Sequence, residues 1–325
     1  MSKHPPQAGL ATMFQLYLHH RRSLGRHYIG EEGVLRSCIR FVENDGAADL
    51  DADLFDRWGR SMSSLKAVTR RARQRIVRNA CLYRQRSQPN CFVPDITQFT
   101  RAQPHPAPFI FTPQQVAQLL EMAAQRKPAS HSPLFAAVSR LALVLLYTAG
   151  LRRGELTRLT LADVDASAAV LQIRQSKFHK SRTLPLSPDA ASELLSYLSL
   201  RLARPFDTSP SSTLLFNTSR GQRGYTGAGL AGVIHRLFVQ ADIRDAEGRF
   251  PRIHDLRHTF AIQALLRWYR EGADVQSNLP KLALYMGHVS IVSTAYYLRW
   301  IPQLQQAASS LFEDRFGYLV KGELQ

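Results

Sequence analysis

Arg152 stands two residues after Gly150 in YTAGLRRGELTRL (Tyr147–Leu159), at the end of an apolar run, and Glu155 follows three residues later. The arginine guanidinium is a planar fork of fixed charge, suited to bidentate contact with a phosphate. Glu155 would brace it. The plainer alternative is a surface arginine followed by a carboxylate at a helix start. In RQSKFHKSRTLPL, Lys177 falls where two β-prone segments turn, on a loop from which a lysine reaches a phosphate or donates a proton. Lys180 and Arg182 compete for that role, and a solvated turn lysine is the ordinary reading. In RIHDLRHTFAIQALL, His254 and Arg257 lie three apart and share a helix face, while Asp255 and His258 share the next one. A group that exchanges protons beside one that holds charge again fits a phosphate; a surface histidine with a structural arginine is the alternative. His254 and His258, four apart, also invite a zinc reading. No glutamate follows His254 as a metalloprotease helix requires, and no third ligand is evident, so no metal site is expected. In GHVSIVSTAYYLRW (Gly287–Trp300), His288 follows a glycine where a helix should end. Tyr296 and Tyr297 differ by about 100° of rotation on a helix, so only one can enter a shared pocket. Otherwise both are core aromatics.

These residues need elements to carry them. Thr112-Pro113-Gln114-Gln115 has the N-cap, the first-turn proline and the glutamine of a capping box, so a helix should begin there. LALVLLYTAG reads as a buried helix ending at Gly150. AVLQIRQ and RTLPLS read as a hairpin around SKFHK, and Leu214–Phe216 as a third short strand. Ser187-Pro188-Asp189 caps a further helix. Others are expected near Gly227–Asp242, His254–Arg270, Leu279–Met286 and Ile291–Trp300, with a last amphipathic one over Gln303–Phe312. Thr100–Pro113 carries four prolines and no periodicity, as an interdomain linker would.

Before that linker the chain reads as helices. Over Lys66–Arg86, Ala67, Ile76, Val77, Ala80 and Tyr83 can face a core, while Arg70, Arg71, Arg73, Arg75, Arg78, Arg84 and Arg86 crowd the other sides. Most charge runs are solvated faces. This one has almost no acidic partners, which favours contact with the phosphates of DNA or RNA. The whole chain agrees: 325 residues carry a formal charge of +17, which points to a polyanionic partner, whether nucleic acid or an anionic membrane surface. The 45% hydrophobic content allows real cores. MSKHPPQAGL lacks the apolar core of a signal peptide, and Leu141–Gly150 is too short to span a bilayer. Cys38, Cys81 and Cys91 are odd in number and have no metal-ligand spacing, so free thiols in a reducing cytosol are expected.

Each stretch is a weak signal alone; their order is not. AGLRRGEL, then SKFHK after one strand, then HDLRH, then Gly-His, then a tyrosine nine residues on, resembles the tyrosine recombinase (phage integrase) family. The resemblance covers everything after the linker. It implies a mainly α fold in two domains: an N-terminal helical core-binding (SAM-like) bundle and a C-terminal, mostly helical catalytic domain with a small antiparallel β-sheet. The expected boundaries are 1–102, a linker 103–112, and 113–325. Carried over, the roles fall on Arg152, on Lys177, on the His254 and Arg257 pair, on His288, and on Tyr297 as nucleophile. Two departures stand out. Phe178 and His179 replace the family's usual glycine-rich turn, which keeps Lys180 in play. Ile253 replaces the common proline before His254.

The resemblance implies cleavage of double-stranded DNA through a 3′-phosphotyrosyl link with release of a 5′-hydroxyl, with neither metal nor other cofactor. It also implies a homotetramer working on two DNA sites in the cytoplasm, nucleoid-associated when bound. Sister recombinases or accessory DNA-bending proteins would be further partners. Arg70, Arg71, Arg73, Arg75 and Arg78 are the expected DNA contacts of the first domain. Two rivals keep the fold and change the function: a non-catalytic DNA-binding regulator, which predicts a missing arginine or nucleophile, and a type IB topoisomerase-like relaxing enzyme acting as a monomer.

Overall fold

The computed structural model describes residues 9–101, 107–127, 132–174, 181–217, 223–288 and 290–300. Lys177, Lys180 and the helix expected over Gln303–Phe312 lie outside the described residues. The chain is mainly helical and divides into two compact units, Met1–Pro106 and Ala107–Gln325.

The first unit is built from α1 (Leu10–Ser23), α2 (Ile29–Asn44), α3 (Ala52–Ser61) and α4 (Ala67–Arg84). The helical pattern of its first half is broken between α1 and α2, where Gly25 and Tyr28 take positive φ of 76° and 50°. Asp51 caps α3 by accepting the Leu54 N–H at 2.8 Å. Phe14, Leu35, Cys38, Phe55, Trp58, Val77 and Ala80 form the core. On α4, Val77 and Ala80 are fully buried, while Ala67, Ile76 and Tyr83 are only partly so.

One arginine of α4 departs from expectation. Arg84 is not on the charged outer face. It is 6% exposed and pairs with Asp49 through both terminal nitrogens, at 2.5 and 2.6 Å. The reason is helical phase: Arg84 follows Ala80 by four residues and Val77 by seven, so it continues the buried stripe. Its acidic partner comes from the loop after α2, far away in sequence.

In the second unit, α5 (Pro113–Ala124), α6 (Phe135–Thr148), α8 (Pro188–Leu202), α9 (Gly227–Gln240), α10 (Ile253–Arg270) and α11 (Val275–Met286) carry the bulk, with α7 (Arg153–Leu156) and α12 (Val292–Ala295) as single turns. The expected caps form. Thr112 Oγ1 accepts the Gln115 N–H and Gln115 Oε1 accepts the Thr112 N–H, at 3.2 and 3.0 Å, with Pro113 at the first position. Ser187 accepts the Ala190 N–H. Leu141, Leu143, Leu145 and Leu146 of α6 are buried, as the apolar run requires. Phe111, in the proline-rich stretch, is fully buried in this unit's core, and its N–H donates to Thr259 Oγ1 at 3.1 Å.

The hairpin is β2 (Val170–Ile173) against β3 (Arg182–Pro185), antiparallel, with Ile173 opposite Arg182. A two-residue β1 (Val164–Asp165) adds to its other edge, giving a sheet of order β1-β2-β3. The strand expected over Leu214–Phe216 starts only at Phe216. It is β4 (Phe216–Asn217), and it pairs with β5 (Arg223–Gly224) in a separate sheet. Helix α11 starts a turn earlier than expected, because Asp274 caps it through the Gln276 and Ser277 N–H groups. Pro280 sits inside it.

Candidate active site

Three helix ends meet at the site, those of α6, α10 and α11. Just past the end of helix α6, Gly150 turns the chain with a φ of 57°, and its missing Cβ makes room for Phe260. A Cβ there would lie 2.4 Å from the Phe260 ring. Arg152 follows as the N-cap of α7. Its backbone N–H donates to Glu155 Oε2 at 3.0 Å, its Nη1 to Glu155 Oε1 at 2.7 Å, and its Nη2 to the Gly287 carbonyl at 2.8 Å. So Glu155 does brace Arg152. The side chain of Glu155 is only 1% exposed and holds a second guanidinium as well: Arg182, at 3.1 and 3.0 Å. Arg182 also donates to the Tyr285 carbonyl at 2.8 Å. The network ties α7, the root of the hairpin and the end of α11 together. Burial alone would push the Glu155 carboxyl up. Hydrogen bonds from Arg182 and the Arg152 N–H, with the two guanidinium charges, outweigh it and hold the carboxyl at about 2.

Helix α10 supplies the next groups from its first two turns. Arg257 is 1% exposed. Its Nη1 donates to the Gly150 carbonyl and its Nη2 to the Met286 carbonyl, the latter at 2.8 Å. Those bonds use two of the five guanidinium N–H donors, and the guanidinium also hydrogen-bonds the Tyr297 hydroxyl. Burial and then the charge of Arg152 lower Arg257 to about 10, so it stays cationic at neutral pH. His254 lies at the exposed rim with its ring edge-on to His258, centroids 4.6 Å apart. Lost hydration there, then the charges of His258 and Arg257, hold His254 below the ordinary histidine value. Asp255 is buried and caps α10 by accepting the Arg252 N–H at 2.7 Å.

The end of α11 is Gly287, at φ 69°. A side chain here would collide with Arg182 and Arg152, whose nitrogens lie 2.6 and 3.3 Å from a Cβ position. His288 comes next, and its Nδ1 bonds Thr294 Oγ1 at 2.7 Å. Burial, then Arg257 and Arg152, lower His288 to about 3.

The two tyrosines open a 3-10 turn, Tyr296–Trp300. Tyr297 is 3% exposed and enters the site. Its hydroxyl lies 3.1 Å from His258 Nδ1, and its ring stacks near His288, centroids 6.3 Å apart. Burial raises the phenol against the opposing pull of Arg257 and Arg152. Tyr296 is half-buried, with the Arg299 guanidinium 4.5 Å from its ring centre. The structure therefore brings Arg152, His254, Arg257, His288 and Tyr297 together. Arg182, Thr294 and the pairing of His258 with Tyr297 are additions. The sequence offered Arg182 only as a competitor of Lys177, and nothing in it named Glu155 as its partner. Among the described residues no group of three or more His, Cys, Asp or Glu side chains is arranged to hold a metal, and no helix is long and apolar enough to cross a membrane.

The sequence model of the phage integrase family matches residues 110–302, which spans every one of these groups. The chain belongs to the phage integrase family. It is a tyrosine recombinase, a DNA-cleaving and rejoining enzyme. The integrase/recombinase homologue y4rB of Sinorhizobium fredii strain NGR234 is 31% identical over 316 residues, covering 93% of this chain and 96% of that one. Tyrosine recombinase XerC of Chlorobaculum parvum is 31% identical over 163 residues, 49% of this chain and 44% of its own. The fold matches the Tn1549 transposon integrase, solved with a circular intermediate DNA, at a TM-score of 0.64 and 19% identity, over 89% of this chain and 94% of that one. It also matches a lambda integrase dimer bound to a core site, at 0.59 and 18% identity, over 89% and 95%.

Proposed function

We propose that this recombinase cuts and rejoins double-stranded DNA at specific sites through a covalent 3′-phosphotyrosyl intermediate on Tyr297. The observation that carries this reading is the placement of one tyrosine, Tyr297 and not Tyr296, in a buried pocket beside two arginines that keep unused N–H donors. Arg152 and Arg257 clamp the non-bridging oxygens, where negative charge grows in the transition state; fixed cations in a partly dry site act strongly there. His254 and His288 hydrogen-bond the same phosphate. Lys177 protonates the departing 5′-oxygen. The new P–O bond to Tyr297 replaces the broken bond to the 5′-oxygen, so the energy of the phosphodiester is conserved. A 5′-hydroxyl of a partner strand reverses the step.

Arg70, Arg71, Arg73, Arg75 and Arg78 contribute to holding the duplex. Arg75 is the most open, while Arg71 donates to the Thr100 carbonyl and Arg73 to the Met62 sulfur. The enzyme works as a homotetramer on two DNA sites, in the cytoplasm and on the nucleoid, in integration, excision or transposition, with accessory proteins where the site requires them.

The test is a nicked duplex drawn from the DNA flanking the protein's own gene. Wild-type protein should form an adduct that survives a denaturing gel, Tyr297→Phe should form none, and Tyr296→Phe should behave as wild type. An adduct retained by Tyr297→Phe and lost in Tyr296→Phe would move the nucleophile by one residue. DNA binding with no adduct from any of the three would favour the non-catalytic regulator.

A further inference from the structure

We propose that His258 is the group that takes the phenolic proton from Tyr297 and returns it on rejoining. The inference rests on the reading of Tyr297 as nucleophile. It places on His258 the proton exchange that the sequence suggested for His254.

The geometry selects His258. Its Nδ1 lies 3.1 Å from the Tyr297 hydroxyl, and the rings meet edge to face at 5.4 Å. The other charged neighbours of that hydroxyl, Arg257 and Arg152, are cations with no lone pair to offer. His288 spends its Nδ1 on Thr294, and its ring only stacks near the phenol. Among the described residues, then, the proton of Tyr297 has one lone-pair nitrogen within hydrogen-bond reach. His258 faces Asp255, Arg252 and Arg257 on its own helix, the His254 ring beside it, and Tyr297 across from it. Burial, the largest influence, lowers it to about 4 against the pull of Asp255 and with the push of Arg252 and Arg257, so it is neutral at physiological pH and its Nδ1 can accept.

The step balances. The Tyr297 oxygen forms a bond to phosphorus as its proton moves to His258 Nδ1. The bond to the 5′-oxygen breaks, and that oxygen receives its proton from the proposed acid. On rejoining, a 5′-hydroxyl attacks the phosphotyrosine and returns its proton to that acid, the bond from phosphorus to the Tyr297 oxygen breaks, and the leaving phenolate recovers its proton from the His258 imidazolium. The seated phosphate, negatively charged, favours that imidazolium while it lasts.

The experiment measures single-turnover adduct formation on the nicked duplex for wild type, Tyr297→Phe, His258→Ala and His258→Asn between pH 6 and 9. Asparagine puts an amide where Nδ1 stands, so it fills the pocket without accepting a proton, and it decides the matter if His258→Ala does not fold. Both His258 variants should slow adduct formation by about 100-fold near pH 7. Their rates should climb with pH where the wild-type rate is flat, because the phenol must then lose its proton to solvent. The same defect should persist on a duplex whose scissile 5′-oxygen is replaced by sulfur, a leaving group that needs no proton. Rates within about threefold of wild type, smaller than the loss expected of a general base, would overturn the assignment while leaving Tyr297 as nucleophile. So would a profile that is merely lower and still flat, or full rescue by the sulfur substrate. An adduct that survives Tyr297→Phe would overturn both readings.

Discussion

Replacing Glu155 by glutamine keeps the size of the side chain and removes the one negative charge lying between Arg152 and Arg182. The cost follows from the structure. The carboxyl is held at about 2 in the folded protein, whereas a free glutamate titrates near 4.3. That gap corresponds to about 3 kcal/mol of stability at neutral pH. It matches the ~3–5 kcal/mol typical of breaking a buried ion pair from one side. For a unit of this size, such a loss lowers Tm by about 6–12 °C. The pH dependence is specific. Because the folded value is depressed, the Glu155 contribution is complete above the unfolded value and is lost as pH falls toward the folded one. The gap between wild type and Glu155→Gln should therefore be full at pH 7 and narrow by about 1.4 kcal/mol per unit below pH 4.3. Arg152, freed from its brace, should also form the adduct at least about tenfold more slowly, since small misplacements of a clamp are costly. Thermal denaturation of the full chain across pH, with adduct formation at pH 7, tests both. A Tm within about 2 °C of wild type, smaller than the loss of even ~1 kcal/mol would produce, or a gap that does not narrow in acid, would refute the reasoning.

Gly150→Ala should destabilise the protein by about 1–3 kcal/mol and slow adduct formation, because the new methyl group must displace Phe260 and shift the carbonyl that holds Arg257; thermal melts and adduct kinetics check it. Thr259→Val should cost about 1–3 kcal/mol by leaving the buried Phe111 N–H without an acceptor, read by denaturant titration. Arg84→Ala and Arg75→Ala should separate structure from binding. Loss of Arg84 should lower stability by about 2 kcal/mol, less than a fully buried pair because Asp49 is partly solvated. Loss of exposed Arg75 should change stability by less than about 0.5 kcal/mol and reduce the salt slope of DNA binding by about one. The opposite pattern in melts and salt titrations would refute the assignment.

Much of this protein was legible from its residues because the signals are local. A capping box at Thr112, a capped start at Ser187, an apolar run ending in glycine and a short alternating hairpin each fix backbone geometry within a few residues. The placement of Arg152, His254, Arg257, His288 and Tyr297 near helix ends and turns was legible for a related reason, while their roles came only from the family resemblance of the ordered set. The two-residue strands β1 and β5 were not legible, and β4 was anticipated only at Phe216, since they are too short for any periodicity to register.

What the chain by itself determined is which residues could do the chemistry and which helices and turns present them. The fold decided who touches whom. Arg182 reaches Glu155 across 27 residues, His258 reaches Tyr297 across 39, and Arg84 reaches Asp49 across 35. It also decided between the neighbouring tyrosines, because the 3-10 turn at Tyr296 rotates one ring into the pocket and leaves the other half-buried. Side-chain partners at such separations depend on how the packed helices meet, and that is a property of the assembled core rather than of any local stretch of sequence.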